Sequence, residues 1–227
     1  MNNTTRKPET DSIERYHFAC RIAKNRSLLD VACGSGYSTP LFIEAGVCSY
    51  DGVDIDENKI AYANYRYSNQ SYLTNRVNYH VGNICEFNNG KTFDIITCFG
   101  IIEHIKEYKS AIQNLYSLLN YGGVLLISSP NRLITSPHCM SIDDKPSNKF
   151  HVQEFTPNEL LSILTSSGFS ISQEKLFGQH QRRVYSDKFV NKIVQTICRK
   201  SKRRNASVVK EVRDKVPEHF IVVATKI

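Results

Sequence analysis

Short apolar runs alternate with longer amphipathic stretches between residues 27 and 128 of the chain. The apolar runs are rich in Val, Ile, Leu and aromatic residues, which is typical of β-strands buried on both faces. They predict strands at 27–32, 49–53, 77–81, 93–98 and 123–128. Apolar residues at helical spacing predict helices at 11–25, 37–45, 57–67 and 105–119. This alternation predicts a parallel sheet with helices on both faces.

The regular pattern loosens after Asn131. Residues 132–149 predict a loop, and a helix is predicted at 157–167 with Thr156 as its N-cap. Two more strands are predicted at 170–176 and 220–224, which brings the number of strands to seven. We expect the last strand to lie antiparallel, next to the strand before it.

Length and composition are those of a single globular domain. The chain has 227 residues, of which 41% are hydrophobic and 22% charged, and it has no apolar run of the ~18 residues that a membrane span needs. The seven cysteines are odd in number and form no Cys-x-x-Cys pair, which favours reduced thiols over a disulfide framework or a zinc site. The polar N-terminus has no signal-peptide core. We therefore expect a cytoplasmic protein.

The positive charge is concentrated in one late segment. Residues 182–215 contain twelve Lys and Arg against three acidic residues, a net charge of +9, whereas the whole chain carries +7. Apolar residues at helical spacing in this segment are consistent with a helix whose basic face meets solvent. The alternative is a surface for an anionic partner: membrane headgroups, a nucleotide sugar or RNA. A peripheral position at a membrane stays open on this second interpretation.

A glycine-rich turn follows the first predicted strand in the stretch LLDVACGSGYST. Gly34 and Gly36 let a ligand approach the backbone closely, but Thr39 stands where a dinucleotide fold has its third glycine. Asp30 would repel a pyrophosphate and suits a cationic ligand. Asp54, at the end of the second strand, is placed to accept ribose hydroxyls. A nucleoside with a positively charged tail, such as S-adenosylmethionine, fits these residues better than a nicotinamide dinucleotide does.

Four stretches in this order, LLDVACGSGYST, GVDIDENKI, FDIITCFGIIEHI and GGVLLISSPNR, resemble the motifs of class I S-adenosylmethionine-dependent methyltransferases. That resemblance implies a Rossmann-like α/β fold with a seven-stranded, mostly parallel sheet and an antiparallel last strand. The flanking stretches SIERYHFACRIAKN and FHVQEFTPNELLSILTSSGF resemble a narrower subgroup, the sugar O-methyltransferases of bacterial-type polysaccharide assembly. The expected cofactor is S-adenosyl-L-methionine, and the expected acceptor is a glycan or glycan precursor.

The resemblance also implies roles for individual residues. Gly34 and Gly36 would line the methionine part of the cofactor, with Asp30 reaching its amino group directly or through water. Asp54 would hold the ribose, and Asn83 stands where many relatives have Asp. The remaining expected cofactor neighbours are Tyr16 as a lid, Cys33 beside the glycine turn, Ile55 and Ile84 at the adenine, and Phe99 at the edge of the active site.

Glu103, His104 and His151 are the catalytic candidates. A sugar hydroxyl is a poor nucleophile until it loses its proton, and a histidine is the usual base. His104 follows the fourth strand and His151 lies in a predicted lid, so either could be the base, with Glu103 as an orienting group. Each could instead be a capping residue. Asp143 and Asp144 show no regular ligand spacing with a histidine, so we predict no metal site.

The whole chain is thus expected to be one methyltransferase domain. It would consist of a cofactor-binding core at 12–131, a substrate lid at 132–156 and a basic insertion at 180–218. Alternative acceptors are another small molecule, a lipid precursor such as a quinone precursor, or RNA. A nucleic acid is disfavoured because Cys98-Phe99-Gly100-Ile101 follows the fourth strand in place of an Asn/Asp-Pro-Pro-aromatic motif. A non-catalytic cofactor-binding module is the remaining alternative.

Overall fold

The structure is a computed structural model that describes residues 10–68, 76–171, 176–180, 183–185 and 217–227. Most of the basic segment 182–215 lies outside the described residues, as do the predictions of a packed helix or an anionic-partner surface there. No helix in the described ranges has both the length and the apolar character needed to cross a membrane.

One mixed sheet of nine strands forms the centre of the described part of the chain. Its main path runs β3-β2-β1-β4-β5-β9-β7-β8, and β6 also pairs with β9. The first five strands are parallel to one another, whereas β9 lies between β5 and β7 and is antiparallel to both. The strands are β1 Ser27–Val31, β2 Ser49–Asp54, β3 Val77–Val81, β4 Phe93–Phe99, β5 Leu119–Pro130, β6 Phe169–Ser170, β7 Leu176–His180, β8 Arg183–Tyr185 and β9 His219–Lys226.

This architecture confirms the predicted Rossmann-like α/β sheet, including the antiparallel last strand. The number of strands differs from seven for two local reasons. The predicted strand 170–176 corresponds to two separate pieces, β6 and β7, that pair with different parts of β9. The strand β8, which was not predicted, forms a hairpin with β7.

Helices flank the sheet on both faces, as predicted. One buried cluster includes residues of α1, α2 and α3, and a second includes residues of α4 and α6. The helices are α1 Thr10–Cys20, α2 Thr39–Glu44, α3 Glu57–Ala63, α4 Tyr108–Leu118, α5 Arg132–Thr135 and α6 Pro157–Ser166. A π-helical turn, Asn64–Ser68, extends α3, and a 3-10 turn, Ile102–His104, precedes α4.

Local capping explains where several of these helices begin or end. The side chain of Thr156 accepts from the Glu159 backbone N–H while Glu159 accepts from the Thr156 backbone N–H, so α6 begins with a capping box as predicted. The predicted loop after Asn131 instead opens with the short helix α5, because the Asn131 side chain accepts from the Leu133 N–H. The predicted first helix is shorter than expected and stops at Cys20.

Strand order reverses between β1 and β4, which lie side by side although β2 and β3 intervene in sequence. In open α/β sheets a ligand cleft forms at such a switch point, beyond the carboxyl ends of the strands. The glycine turn after β1, the residues after β2 and β3, and the 3-10 turn after β4 therefore meet at one edge of the sheet.

Candidate active site

The turn after β1 has a backbone that favours glycine. Gly34 and Gly36 have φ angles of 57° and 75°, and Ala32 between β1 and these glycines is also left-handed at 54°. A Cβ atom on Gly36 would lie 2.6 Å from the hydroxyl oxygen of Tyr79. A larger residue at this position would therefore be excluded by sterics as well as by φ.

This turn fixes the orientation of Asp54 at the end of β2. The Gly34 backbone N–H donates to Oδ2 of Asp54 and the Asp56 N–H donates to Oδ1, each at 2.9 Å. Asp54 is nearly buried yet lines a pocket, so each carboxylate oxygen keeps a second lone pair for a ligand. The carboxylate is thereby prepared to accept a pair of hydroxyl groups.

A pocket of about 320 Å³ opens beside Asp54. Four predicted cofactor residues line it, namely Asp54, Ile55, Asn83 and Ile84. The side chain of Ile55 is 72% exposed, so an apolar surface is available for a planar ligand to cover. The pocket has eight further lining residues. Of these, only His104 was a predicted site residue, as a catalytic candidate. They are Val31, Ala32, Val53, Lys59, Gly82, Ile101, His104 and Ile105.

Asn83 has an additional role in its own loop. Its side-chain oxygen accepts from the Cys85 backbone N–H at 3.0 Å, and its backbone carbonyl accepts from Glu86 and Phe87. The residue therefore shapes the turn after β3 while lining the pocket. Its contact with an adenine ring stays a prediction.

Asp30 lies beneath the glycine turn and has no exposed surface. Its two carboxylate oxygens accept from four hydroxyl groups at 2.5–3.2 Å. Burial raises the pKa of this carboxyl to about 6, although the four hydroxyl groups act to lower it. The predicted direct contact with a ligand amino group does not fit, because both oxygens are occupied and enclosed. The four donors are Tyr16, Ser38, Tyr50 and Thr97.

Tyr16 and Cys33 also lie deeper than predicted. The Tyr16 ring packs edge-on against Tyr37 and Phe99, and its hydroxyl donates to Asp30. At 3% exposure Tyr16 packs in the core beside Phe99, and its predicted role as a lid over the cofactor stays a prediction. Cys33 is fully buried, and burial raises the pKa of its thiol well above the usual range. Its predicted place beside the glycine turn is correct, but its thiol is closed to a ligand in this structure.

The three catalytic candidates come together although the chain separates them widely. One potential ligand atom from each of Glu103, His104 and His151 lies within 4.8 Å of the others. The two imidazole rings meet edge to face with centroids 4.9 Å apart. Since His104 also lines the pocket, this cluster lies directly beside it.

Backbone hydrogen bonds fasten the lid segment to the 3-10 turn. The Val152 and Gln153 N–H groups donate to the backbone carbonyl of Glu103 at 2.9 and 3.3 Å. The side-chain nitrogen of Gln153 donates to the carbonyls of Ile102 and Ile105, each at 2.8 Å. This clamp holds His151 against the residues that follow β4.

Each imidazole donates one N–H to a fixed acceptor. Nδ1 of His104 lies 2.8 Å from the Phe150 carbonyl oxygen, which can only accept, so Nδ1 carries the proton. Nδ1 of His151 lies 2.6 Å from Oε1 of Glu154. The Asn148 amide, oriented by its bond from the Phe150 N–H, donates to Nε2 of His151. Both neutral imidazoles therefore have Nε2 as the atom with the lone pair.

Glu154 was missed in the sequence, although its spacing of three residues from His151 is a usable signal. It is 1% exposed, and its second oxygen accepts from the Thr135 hydroxyl at 2.5 Å. Burial acts to raise the pKa of Glu154, but hydrogen bonds from His151 and Thr135 outweigh it and the net shift is downward. The carboxylate thus stays ionised against the imidazole.

Glu103 is the second buried acid of the cluster, at 3% exposure. Burial raises the pKa of its carboxyl to about 7, while a backbone hydrogen bond and the electrostatic effects of the nearby His151 and Arg15 side chains oppose the rise. Among the described residues its Oε2 has no hydrogen-bond partner. Such an oxygen is costly to bury unless a ligand or a proton satisfies it.

Comparison with known proteins assigns the family. Residues 7–174 match the family described as "Methyltransferase domain". The chain is 31% identical over 157 residues to a probable S-adenosylmethionine-dependent methyltransferase of Mycolicibacterium smegmatis. This alignment covers 69% of this chain and 56% of that relative. It is 27% identical over 158 residues to a ubiquinone biosynthesis O-methyltransferase of Rickettsia canadensis, covering 65% of this chain and 64% of the relative. Each match spans less than two thirds of the relative's length.

Solved structures agree with this assignment at the level of the fold. Magnesium protoporphyrin IX methyltransferase from Synechocystis PCC 6803 with bound SAH is similar with a TM-score of 0.61 and 16% identity, over 96% of this chain and 82% of that chain. An S-adenosylmethionine-dependent methyltransferase from Mesorhizobium loti has a TM-score of 0.62 and 16% identity, over 92% and 96% of the two chains. Because the family match extends over more than half of its length, this chain belongs to the methyltransferase-domain family.

Proposed function

We propose that this protein transfers a methyl group from S-adenosyl-L-methionine to a hydroxyl oxygen of a sugar in a glycan or glycan precursor. Family membership supports the methyl transfer. The observation that carries the choice of a hydroxyl acceptor is the pair of imidazoles beside the pocket, each with Nε2 as its basic atom; Nε2 of His151 would first exchange its bond from the Asn148 amide.

The pocket fits the nucleoside part of the cofactor. Asp54 presents a carboxylate held by two backbone N–H groups, which suits a ribose diol, and the exposed Ile55 side chain suits an adenine face. Bound S-adenosylmethionine would supply an electrophilic methyl group. The protein's own contribution is to align the acceptor and to exclude water, which accounts for much of the rate in a displacement reaction.

Activation of the hydroxyl falls to the cluster after β4. His104 borders the pocket, and His151 is backed by the ionised Glu154. A carboxylate in this position fixes the imidazole tautomer and stabilises the imidazolium that forms when the ring accepts a proton. In a metal-free site either imidazole can take the hydroxyl proton, with Glu154 favouring His151.

A sugar acceptor also suits the polarity of the lid. The stretch 136–149 contains three Ser, two Asp, two Lys and one Asn, against two large apolar side chains, Met140 and Ile142. The exposed ring of Phe150 beside His151 offers a surface on which the C–H face of a sugar can lie. Hydrogen-bonding groups and one apolar platform together are typical of carbohydrate sites.

A quinone precursor is the second candidate acceptor. Similarity to relatives named as ubiquinone biosynthesis O-methyltransferases favours it. So do the large exposed apolar residues of the lid, Met140 at 88% and Phe150 at 70% exposure. Both candidates are hydroxyl acceptors, so the proposed activation is the same for each.

The test is an acceptor screen with methyl-labelled S-adenosylmethionine. Nucleotide sugars, lipid-linked oligosaccharides and catechol-type phenols would be incubated with the protein, and the methylated atom mapped by NMR. At a low concentration of S-adenosylmethionine we expect O-methylation of a sugar that is strongly reduced in an Asp54→Ala variant. A His17→Ala variant, which removes an exposed imidazole on α1, should retain it. Transfer to phenols alone would favour the second candidate, and transfer only to nitrogen or carbon would overturn a hydroxyl acceptor.

A further inference from the structure

We infer that Glu103, His104 and His151 form a binding site for a divalent transition-metal cation beside the acceptor position. One carboxylate and two imidazoles are the ligand types that zinc, cobalt, manganese and iron(II) share in open protein sites. The three ligand atoms lie within 4.8 Å of one another. These residues show no regular spacing of metal ligands in the sequence, because His151 reaches the site from the lid, far along the chain from Glu103 and His104.

The groups behind the two histidines are those of a metal site. A metal-ligating histidine normally donates its other ring N–H to a carboxylate or a backbone carbonyl, which fixes the tautomer. Here His104 donates to the Phe150 carbonyl at 2.8 Å, and His151 donates to Glu154 at 2.6 Å. Both rings are therefore held in the tautomer that presents Nε2 to a cation.

The orphan oxygen of Glu103 is the independent observation. Oε2 is buried and has no hydrogen-bond partner among the described residues, and Glu103 is one of the three residues of the cluster. Burying a carboxylate oxygen without a hydrogen-bond partner costs free energy, and the two nearby imidazoles offer it no donor when their Nε2 atoms carry lone pairs. A cation bound to all three atoms would satisfy it.

The site needs only a small contraction to reach coordinating distances. Ligand atoms in a zinc site lie about 2.0–2.2 Å from the metal, so their mutual separations are shorter than 4.8 Å. His104 is exposed and can move inward. Nε2 of His151 would exchange its bond from the Asn148 amide for the metal.

This inference rests on the proposed function and changes one step of it. An acceptor hydroxyl that coordinates the cation loses its proton to water more readily, because the cation stabilises the alkoxide. The alkoxide oxygen then forms a bond to the methyl carbon, the carbon–sulfur bond breaks, and the electron pair stays on sulfur. Both histidines act as ligands in this form, so neither is required as the base.

Binding of zinc chloride and cobalt chloride by the untagged protein, treated first with chelator, tests the site directly. Calorimetry should show one saturable zinc site per chain, and cobalt should give visible absorption bands typical of nitrogen ligation. His104→Ala and Glu103→Gln should each weaken binding about 10–100-fold, with Glu154→Gln in the same range through its support of His151. His17→Ala is the matched control and should bind like the wild type.

Absence of saturable zinc binding, or equal binding by the wild type and the His104→Ala and His151→Ala variants, would overturn the site. Turnover of the chelator-treated protein separates the two proposals. Restoration of lost turnover by added cation supports the cation's role in activation. Full turnover without a cation would overturn that role and leave the proposed function standing on the imidazole base.

Discussion

Nδ1 of His151 donates to Oε1 of Glu154 across 2.6 Å, and the carboxylate that accepts is almost completely buried. A short bond from an imidazole to an enclosed, ionised carboxylate has a directional consequence. It leaves Nε2 as the basic atom of the ring, where it accepts from the Asn148 amide, and the ring lies edge to face with that of His104. Glu154 is thus a positioning residue for the cluster that borders the pocket.

Replacing Glu154 with Gln should lower kcat on the order of 10²-fold or more, because the neutral amide no longer stabilises positive charge on the His151 side. The Michaelis constant for the cofactor should stay nearly constant, since Glu154 does not line the pocket. Thr135→Val is the control, as it removes the other hydrogen bond to Glu154 without changing charge. Steady-state kinetics with equal losses in both variants would contradict a role for the charge.

Alanine variants of His104 and His151 should show which of the two imidazoles activates the acceptor hydroxyl. The variant that loses the activating imidazole should lose about 10²–10⁴-fold in turnover while binding the cofactor almost normally. The other should mainly raise the acceptor's Michaelis constant if that histidine only positions the acceptor. Near-wild-type turnover in both variants would show that neither histidine activates the hydroxyl.

Asp54→Ala should weaken binding of S-adenosylmethionine by about 1–3 kcal/mol, because the ribose would lose its acceptors and the Gly34 N–H would lose its partner. Isothermal titration calorimetry measures the change. Glu57→Ala, an exposed substitution in the first turn of α3, is the matched control and should bind as the wild type does. Unchanged affinity in the Asp54 variant would refute the ribose assignment.

The sequence located the pocket because its determinants are local. Asp54 and Asn83 each follow a short apolar strand, and the carboxyl ends of parallel strands converge at one sheet edge. The family resemblance implied a role for Ile55, whose side chain is exposed in the structure. Strand positions placed Asp54 at this edge, whereas the roles of Ile55 and Asn83 came from the resemblance.

Long-range contacts explain what the sequence could not show. Asp30 is enclosed by hydroxyl groups of α1, β2, β4 and the turn before α2, so its burial depends on four separate elements. The contact of His151 with Glu103 requires the lid to fold back onto the 3-10 turn. The Gln153 clamp that enforces this contact has no signature in local spacing.

Gly36 and Gly90 have nearly the same φ angle but different surroundings. Alanine substitutions at the two positions therefore distinguish the cost of a steric clash from the cost of backbone strain. Gly90 has φ +76° and open space where a Cβ would lie, so Gly90→Ala should cost only the left-handed strain, about 1–2 kcal/mol. Gly36 has φ +75°, but its Cβ would displace Tyr79 and the hydrogen bond between Tyr79 and Thr39. Gly36→Ala should therefore destabilise the fold by at least about 1 kcal/mol more. Equal midpoints in urea denaturation would contradict the close approach.

Glu103 should make the free energy of unfolding fall as the pH rises. An ion-paired carboxylate, whose pKa is lowered in the folded protein, has the opposite effect. The pKa of its carboxyl is about 7 in the folded protein against an ordinary value of 4.5, so the folded state retains a proton that the unfolded chain releases. The stability that this proton contributes is fully present below pH 4.5 and is lost as the pH rises toward 7. At one pKa unit per ~1.4 kcal/mol, the loss is about 3 kcal/mol.

Comparison with Glu103→Gln isolates this contribution, because every other titrating group is shared. In urea denaturation with chelator present, the wild type should be most stable relative to the variant at about pH 5 and should lose that advantage by about pH 8. The chelator matters because a cation bound to the ionised carboxylate would stabilise the wild type at high pH and reverse the trend. A stability difference that does not change with pH would mean that Glu103 titrates alike in the folded and unfolded chains, and that its carboxyl is not enclosed as the structure shows.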